Sequence, residues 1–96
     1  MSAYVIVNVK VLDPEIYKDY VKLSPATISA HGGRFLARGG KSEVLEGDLP
    51  ANRVVVLEFP SYEQARQWWH SEMYREPKAL RQSASEASMI LVDGVQ

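Results

Sequence analysis

The chain has 96 residues, of which 46% are hydrophobic and 24% charged, and its net charge is −1 at pH 7. Length and composition are typical of one globular domain, which we expect to span residues 1–96. The near-neutral charge argues against nucleic acid or an anionic membrane as a partner. Because the chain has no cysteine, disulfides, thiolate metal sites and a cysteine nucleophile are excluded.

The amino-terminal stretch MSAYVIVNVKVLD has no basic region followed by an apolar core and a small-residue cleavage site, so it does not resemble a signal peptide. No apolar run approaches the roughly 20 residues of a membrane span. We therefore expect a cytoplasmic protein.

The first predicted strand runs from Tyr4 to Leu12 and is rich in valine and isoleucine. Its two-residue period puts four valines on one face, which we expect to lie under helices, and a mixed set on the other face. Asp13 then predicts the N-cap of a helix, with Pro14 at the first helical position. Pro25 predicts a kink or break in that helix.

Gly32 and Gly33 are expected to end the first helix. A second strand is predicted over 34–38, interrupted or bulged at Gly39 and Gly40 and continued as extended chain over 42–46. The third strand, RVVVLEF over 53–59, has the strongest strand pattern in the sequence.

The last third of the chain predicts helices followed by a strand. Ser61 and Gln64 have the spacing of a capping box, so a helix should begin at Tyr62. We expect a break over 71–77, a short helical stretch over 78–85 and a final strand over 88–92.

The order strand, helix, strand, strand, helix, strand predicts an α+β fold, the ferredoxin-like βαββαβ arrangement with a four-stranded antiparallel sheet. Helices cover one face of such a sheet. Ile6 and Leu36 would leave an apolar patch on the other face. We expect a second copy of the same sheet to cover that patch, which makes the protein a homodimer.

Many of these residues, in this order and spacing, resemble a family of small bacterial proteins catalogued as domain-of-unknown-function family 1330. The segments that carry the resemblance are the acidic residue and proline after strand one, HGGR, RGG, LEG and EF, followed by Trp69, Ser71, Tyr74, Arg81 and Gly94. The resemblance covers nearly the whole chain and implies the dimeric α+β barrel fold. That fold also occurs in muconolactone isomerases, cofactor-free monooxygenases and haem-degrading enzymes, so it leaves the chemistry open. The family often has Ser-Pro-Glu-Tyr where this chain has Ser-Glu-Met-Tyr over 71–74.

The stretch HGGRFLARGG over 31–40 contains two candidate functional side chains. An unperturbed histidine can act as a general acid or base at neutral pH, so we consider His31 a candidate catalytic residue. Arg38 can hold a carboxylate with two hydrogen bonds, and Gly39 beside it would let the backbone approach a ligand. The alternatives are a helix-terminal histidine and an arginine paired with Glu46 or Glu58.

The aromatic residues supply further candidates. Tyr20, Trp69 and Tyr74 would form the apolar walls of a pocket, with plain core packing as the alternative. Ser71 and Tyr74 would donate hydrogen bonds to a ligand, although Ser71 could equally cap a turn.

These residues lead to two functional hypotheses. Under the first, the protein binds or transforms a small anionic or aromatic molecule in a pocket between helices and sheet, without metal or cofactor. The two histidines are 39 positions apart, and neither a dinucleotide-binding nor a P-loop motif is present. Under the second, it is a non-enzymatic dimeric module that binds a partner.

Overall fold

A computed structural model describes residues 2–49 and 53–95. Its elements in chain order are β1 (Ala3–Val11), α1 (Pro14–Ala30), β2 (Arg34–Arg38), β3 (Arg53–Phe59), α2 (Tyr62–His70), α3 (Glu72–Ala84) and β4 (Ser85–Asp93). The strands form one antiparallel sheet in the order β2-β3-β1-β4. The predicted ferredoxin-like fold is therefore confirmed.

The two faces of the sheet differ as the period-two pattern predicts. Val5, Val7 and Val9 are buried under the helices, and the strand register sets Val5 beside Leu57 of β3 and Leu91 of β4. Trp68 of α2 fills the centre of this layer, where its indole Nε1 donates to Thr27 Oγ1 at 3.1 Å. We call this side the covered face and the opposite side the open face.

The predicted helix starts are confirmed. Asp13 is the N-cap of α1 and its carboxylate accepts from the backbone N–H groups of Glu15 and Ile16. Ser61 caps α2 by accepting from the backbone N–H of Gln64 at 3.1 Å. Each cap satisfies donors that would otherwise lack an intrahelical partner.

The predicted break at Pro25 is wrong, because α1 continues through it to Ala30. Proline has no N–H, so it cannot donate to the carbonyl of Val21 one turn earlier. Arg38 supplies the missing donor, since its Nη2 lies 2.9 Å from that carbonyl oxygen. The helix therefore tolerates the proline with help from β2.

The irregularity in β2 lies earlier than predicted. Phe35 pairs with Leu57 and Ala37 with Val56, so the extra residue of the bulge is Leu36 rather than Gly39. The predicted extended stretch over 42–46 is also wrong, because residues 39–49 form bends and irregular chain. The chain follows β3 for one more residue, since the Gly39 N–H donates to the Val54 carbonyl at 2.9 Å, and then leaves the sheet.

The predicted break over 71–77 reduces to a single residue. Ser71 separates α2 from α3, and α3 then runs without interruption through Pro77. Pro77 is near the start of the helix and is buried, so packing compensates for the hydrogen bond that it removes. β4 begins at Ser85, three residues before the predicted start, and pairs with the whole length of β1.

In the part of the chain that the structure describes, no helix combines the length and the apolar character needed to cross a bilayer.

Candidate functional site

Helix α3 places an arginine inside the protein. Its buried residues Tyr74, Pro77, Arg81 and Ala84 recur at helical spacing and form one stripe. Arg81 is only 4% exposed. Its guanidinium packs beside the rings of Tyr20 and Trp69, at 5.9 and 6.0 Å from their centroids. No carboxylate within the described residues forms an ion pair with it.

Two tyrosines connect Arg81 to helix α1. The hydroxyl oxygens of Tyr20 and Tyr74 are 2.7 Å apart, and Arg81 Nε lies 3.5 Å from the Tyr74 oxygen. Burial, and secondly the neighbouring Tyr74 phenol, raise the pKa of Tyr20 far above its ordinary value. The Tyr20 phenol therefore stays neutral at physiological pH and can donate a hydrogen bond.

A small cavity of about 30 Å³ lies between α1 and the covered face. Its walls include the three arginines Arg38, Arg53 and Arg81 together with Tyr17 and Tyr20. We call it the arginine cavity.

A larger trough follows the covered face of β4 under α2 and α3. It consists of two hollows of about 350 and 280 Å³, and both are lined by Trp69 and Met89. The larger hollow is mostly aromatic and aliphatic, with Tyr62 and Arg66 at its wall. The smaller one is more polar and contains Arg81.

The cavities are lined by positively charged side chains and by no negatively charged ones among the described residues. The trough and the arginine cavity together are lined by four arginines, and no aspartate or glutamate is among their lining residues. The chain as a whole is slightly acidic, at −1. The arrangement is suited to an anion with an apolar body, because guanidinium groups hold carboxylates in a bidentate geometry.

Among the predicted site residues, the structure brings Tyr20, Trp69 and Tyr74 together around Arg81. Trp69 lines the trough and Tyr20 lines the arginine cavity. Tyr74 is completely buried and its hydroxyl forms a hydrogen bond with that of Tyr20. The three aromatic side chains are thus one cluster, as the sequence predicts, whereas their contact with a ligand stays a prediction.

Arg38 lies on the covered face, and not on the face of Arg34 and Leu36 as strand alternation predicts. The bulge at Leu36 shifts the alternation by one residue, so that Arg38 pairs with the buried Val55. Within one chain, Arg38 forms no ion pair with a described carboxylate, and Glu58 instead binds Arg34 at 2.7 Å. An ion pair of Arg38 with Glu46 or Glu58 across a dimer stays a prediction.

Gly39 and Ser71 have structural contacts. Gly39 has a φ of +72°, and a Cβ there would collide with the guanidinium of Arg53. Ser71 accepts from the backbone N–H of Tyr74 at 3.2 Å and donates to the Trp68 carbonyl at 2.8 Å, so it caps α3 and also ends α2. Their predicted ligand contacts stay predictions.

His31 lies apart from this cluster. It is the C-cap of α1, and its Nδ1 donates to the carbonyl of Thr27 at 2.8 Å. It lies eleven positions after Tyr20 along the helix, which corresponds to about 16 Å along the axis. Its contacts are those of the helix-terminal alternative, and its catalytic role stays a prediction.

Arg53, Arg66 and Arg81 are not among the predicted site residues, although Arg81 is one of the residues that carry the family resemblance. A signal for Arg81 existed, because it falls seven residues after Tyr74 and so lies on the same stripe of a continuous helix. The predicted break before Lys78 hid that spacing. A signal for Arg53 existed too, because the two-residue period of β3 puts it on the same face as the buried Val55 and Leu57.

The model of a domain of unknown function, DUF1330, matches residues 2–95. The chain belongs to the DUF1330 family. The predicted resemblance is therefore confirmed. No curated protein matches the chain significantly.

Solved structures show the same fold as this DUF1330 protein. A protein of unknown function from Rhodopseudomonas palustris is 20% identical with a TM-score of 0.78, over 99% of this chain and 83% of that one. SnoaB, a cofactor-independent oxygenase from Streptomyces nogalater, is 11% identical with a TM-score of 0.66, over 99% and 94%. Rv0793 from Mycobacterium tuberculosis is 14% identical with a TM-score of 0.57, over 100% and 97%. At these identities the likeness concerns the fold alone.

Proposed function

We propose that this DUF1330 protein binds a small organic anion with an apolar or aromatic body in the trough, without a metal or cofactor. The anionic group lies at Arg81 and the apolar body lies along Trp69 and the larger hollow. A cytoplasmic location would suit this role.

The observation that carries the proposal is the buried guanidinium of Arg81, which has no carboxylate partner among the described residues. Arginine stays protonated in proteins, so it cannot escape burial by losing its proton. A buried charge is unfavourable unless a counter-ion or several hydrogen bonds compensate it. Among the described residues Arg81 has one long bond, to Tyr74, and the lining of the trough contains no carboxylate. A ligand carboxylate would supply the missing charge.

The size and surface of the trough support the proposal that it holds the apolar body of the ligand. Its hollows of about 350 and 280 Å³ are comparable with small-molecule sites, which start at about 300 Å³. Trp69 is half-buried and lines both hollows, so one face of a flat ligand can stack on its indole. The hydrogen-bonded Tyr20–Tyr74 pair contacts Arg81 through the Tyr74 hydroxyl, at 3.5 Å from Arg81 Nε.

The proposal is tested by a thermal-shift screen of aromatic and short-chain carboxylic acids with the wild-type protein and Arg81→Met. We expect acids that stabilise the wild type and have no effect on the variant. Arg75→Met is the matched control, since Arg75 is on the same helix but exposed and paired with Glu72. An acid that stabilises wild type and Arg81→Met equally would refute the proposed site.

Homodimerisation through the open face is part of the same proposal. Ile6 and Ile90 are cross-strand partners there and are 41% and 59% exposed, with Val92 exposed beside them. A second copy would cover this patch, since exposed apolar surfaces of this kind are typical of interfaces. The predicted alternative of a non-enzymatic dimeric module needs the same interface but no anion at Arg81.

A further inference from the structure

We propose that the arginine cavity is a second binding site, for a small planar oxyanion such as formate or nitrate. It lies under α1, on the other side of Arg81 from the trough. This site goes beyond the proposed ligand of the trough and does not require that ligand.

The charge of the cavity is the first argument. Arg38, Arg53 and Arg81 all line it, and its other lining residues are aliphatic, aromatic or hydroxyl-bearing. Three guanidinium groups around one small volume repel each other, and this repulsion is strongest at Arg81, which is buried, whereas Arg53 is partly buried and Arg38 is exposed. An anion in the middle converts the repulsion into three attractions.

Unused hydrogen-bond donors are the second argument. Each guanidinium has five N–H donors. Arg53 Nε is buried and has no partner among the described residues. Arg38 uses Nη2 for the Val21 carbonyl, and Arg81 has only its long bond to Tyr74 among the described residues. The remaining donors can surround an oxyanion.

The backbone holds two of these arginines in place. Gly39 leaves the space that the Arg53 guanidinium occupies, which a Cβ would fill. Pro25 frees the Val21 carbonyl that Arg38 binds. In addition, the rings of Phe35 and Tyr17 lie 4.3 and 5.8 Å from the guanidinium carbons of Arg38 and Arg53. These contacts orient the arginines before any ligand arrives.

The volume of the cavity limits the size of its occupant. About 30 Å³ is room for roughly two water molecules, since one needs about 10–15 Å³ on this measure. Only a very small anion can therefore enter, so formate, with three heavy atoms, fits best and sulfate, with five, fits worst. A planar oxyanion also matches the planar fork of arginine.

The test is an NMR titration of ¹⁵N-labelled protein with sodium formate and sodium nitrate at constant ionic strength, read at the side-chain Nε–H signals of Arg53 and Arg81. We expect saturable shifts of both signals in the wild type, and binding at least tenfold weaker in Arg53→Met and in Arg38→Met. Arg34→Met, which removes an arginine on the open face, should bind as the wild type does. Sulfate should not compete.

Each contrary outcome identifies what fails. Absence of saturable shifts in the wild type, or unchanged binding in Arg53→Met and Arg38→Met, would overturn the second site. Trp69→Ala affects the trough. If this variant loses formate binding while Arg53→Met keeps it, the anion binds in the trough instead. Because Arg53 does not line the trough, the acids found in the thermal-shift screen should bind Arg53→Met normally, which separates the two proposals.

Discussion

The two faces of the sheet differ in which side chains lack a partner among the described residues: arginines on the covered face and apolar side chains on the open face. On the covered face the apolar side chains are packed, but Arg38, Arg53 and Arg81 lack carboxylate partners among the described residues. On the open face the charged pair Arg34–Glu58 is matched at 2.7 Å, while Ile90 and its neighbours are exposed. We infer that the covered face needs an anion and that the open face needs a second copy of the protein.

The largest expected effect concerns the open face. Ile90→Asp introduces a charge at its most exposed isoleucine, whereas Met73→Asp changes a similarly exposed side chain on α3. Light scattering of the wild type and of Met73→Asp should report about twice the chain mass of 10.8 kDa, and Ile90→Asp should report a single chain. A wild type that is monomeric at micromolar concentration would contradict the dimer.

The next largest effect concerns the covered face, where we expect a substitution to increase the free energy of unfolding rather than lower it. Arg81→Met removes a buried charge that has no carboxylate partner in the described part of the chain and keeps much of the apolar stem. The ligand-free protein should therefore become more stable, by about 1–3 kcal/mol. Urea denaturation in a buffer without carboxylates measures the free energy of unfolding. A loss of more than about 2 kcal/mol would mean that the Tyr74 contact already compensates Arg81.

A smaller effect is expected where the backbone makes room for an arginine. Gly39→Ala should lower the free energy of unfolding by about 1–2 kcal/mol, because an L-residue is strained at φ +72° and its Cβ meets Arg53. Gly40→Ala is the matched control, since its Cβ would have no neighbour within 4 Å, and it should change the value by less than about 0.5 kcal/mol. If denaturation curves show that Gly39→Ala and Gly40→Ala lower the free energy of unfolding equally, Gly39 is not needed to make room for Arg53.

The smallest effect concerns the ion pair on the open face. The hydrogen bond from Arg34 lowers the pKa of Glu58 below its ordinary value. A carboxylate with a lowered pKa in the folded state stabilises the protein above its unfolded pKa, and this contribution disappears as the pH falls through the folded pKa. The thermal midpoint of Glu58→Gln should therefore fall less than that of the wild type on acidification below about pH 5. Identical pH profiles would show that the pair contributes nothing.

The parts of the fold that the sequence predicts are those with a local cause. The valine alternation of β1, the caps at Asp13 and Ser61, and the element order all follow from adjacent residues. The parts that it does not predict depend on contacts between distant segments. Pro25 continues a helix because Arg38 binds the freed carbonyl, and Arg38 reaches the covered face because a bulge is inserted at Leu36.

In the candidate site, too, the features with a local cause are predictable from the sequence and those that depend on distant contacts are not. Part of the aromatic cluster is predictable from residue type and spacing, since Tyr20 and Trp69 fall on helical stripes, whereas Tyr74 lies in the stretch where the sequence predicts a break. The unpaired state of Arg81 is not predictable, because it depends on where every carboxylate lies in three dimensions. The sequence contains 12 acidic residues, and nothing local shows that none of them lines the trough.

The most direct test of the central claim compares an aromatic acid from the thermal-shift screen with its uncharged amide, by calorimetric titration of the wild type and Arg81→Met. A carboxylate held by Arg81 should bind the wild type at least about tenfold more tightly than the amide does, since charge-assisted hydrogen bonds contribute about 1.5–3 kcal/mol. The variant should bind both compounds with similar affinity. The same preference for the acid in both proteins would contradict the claim that Arg81 is the anion-binding residue.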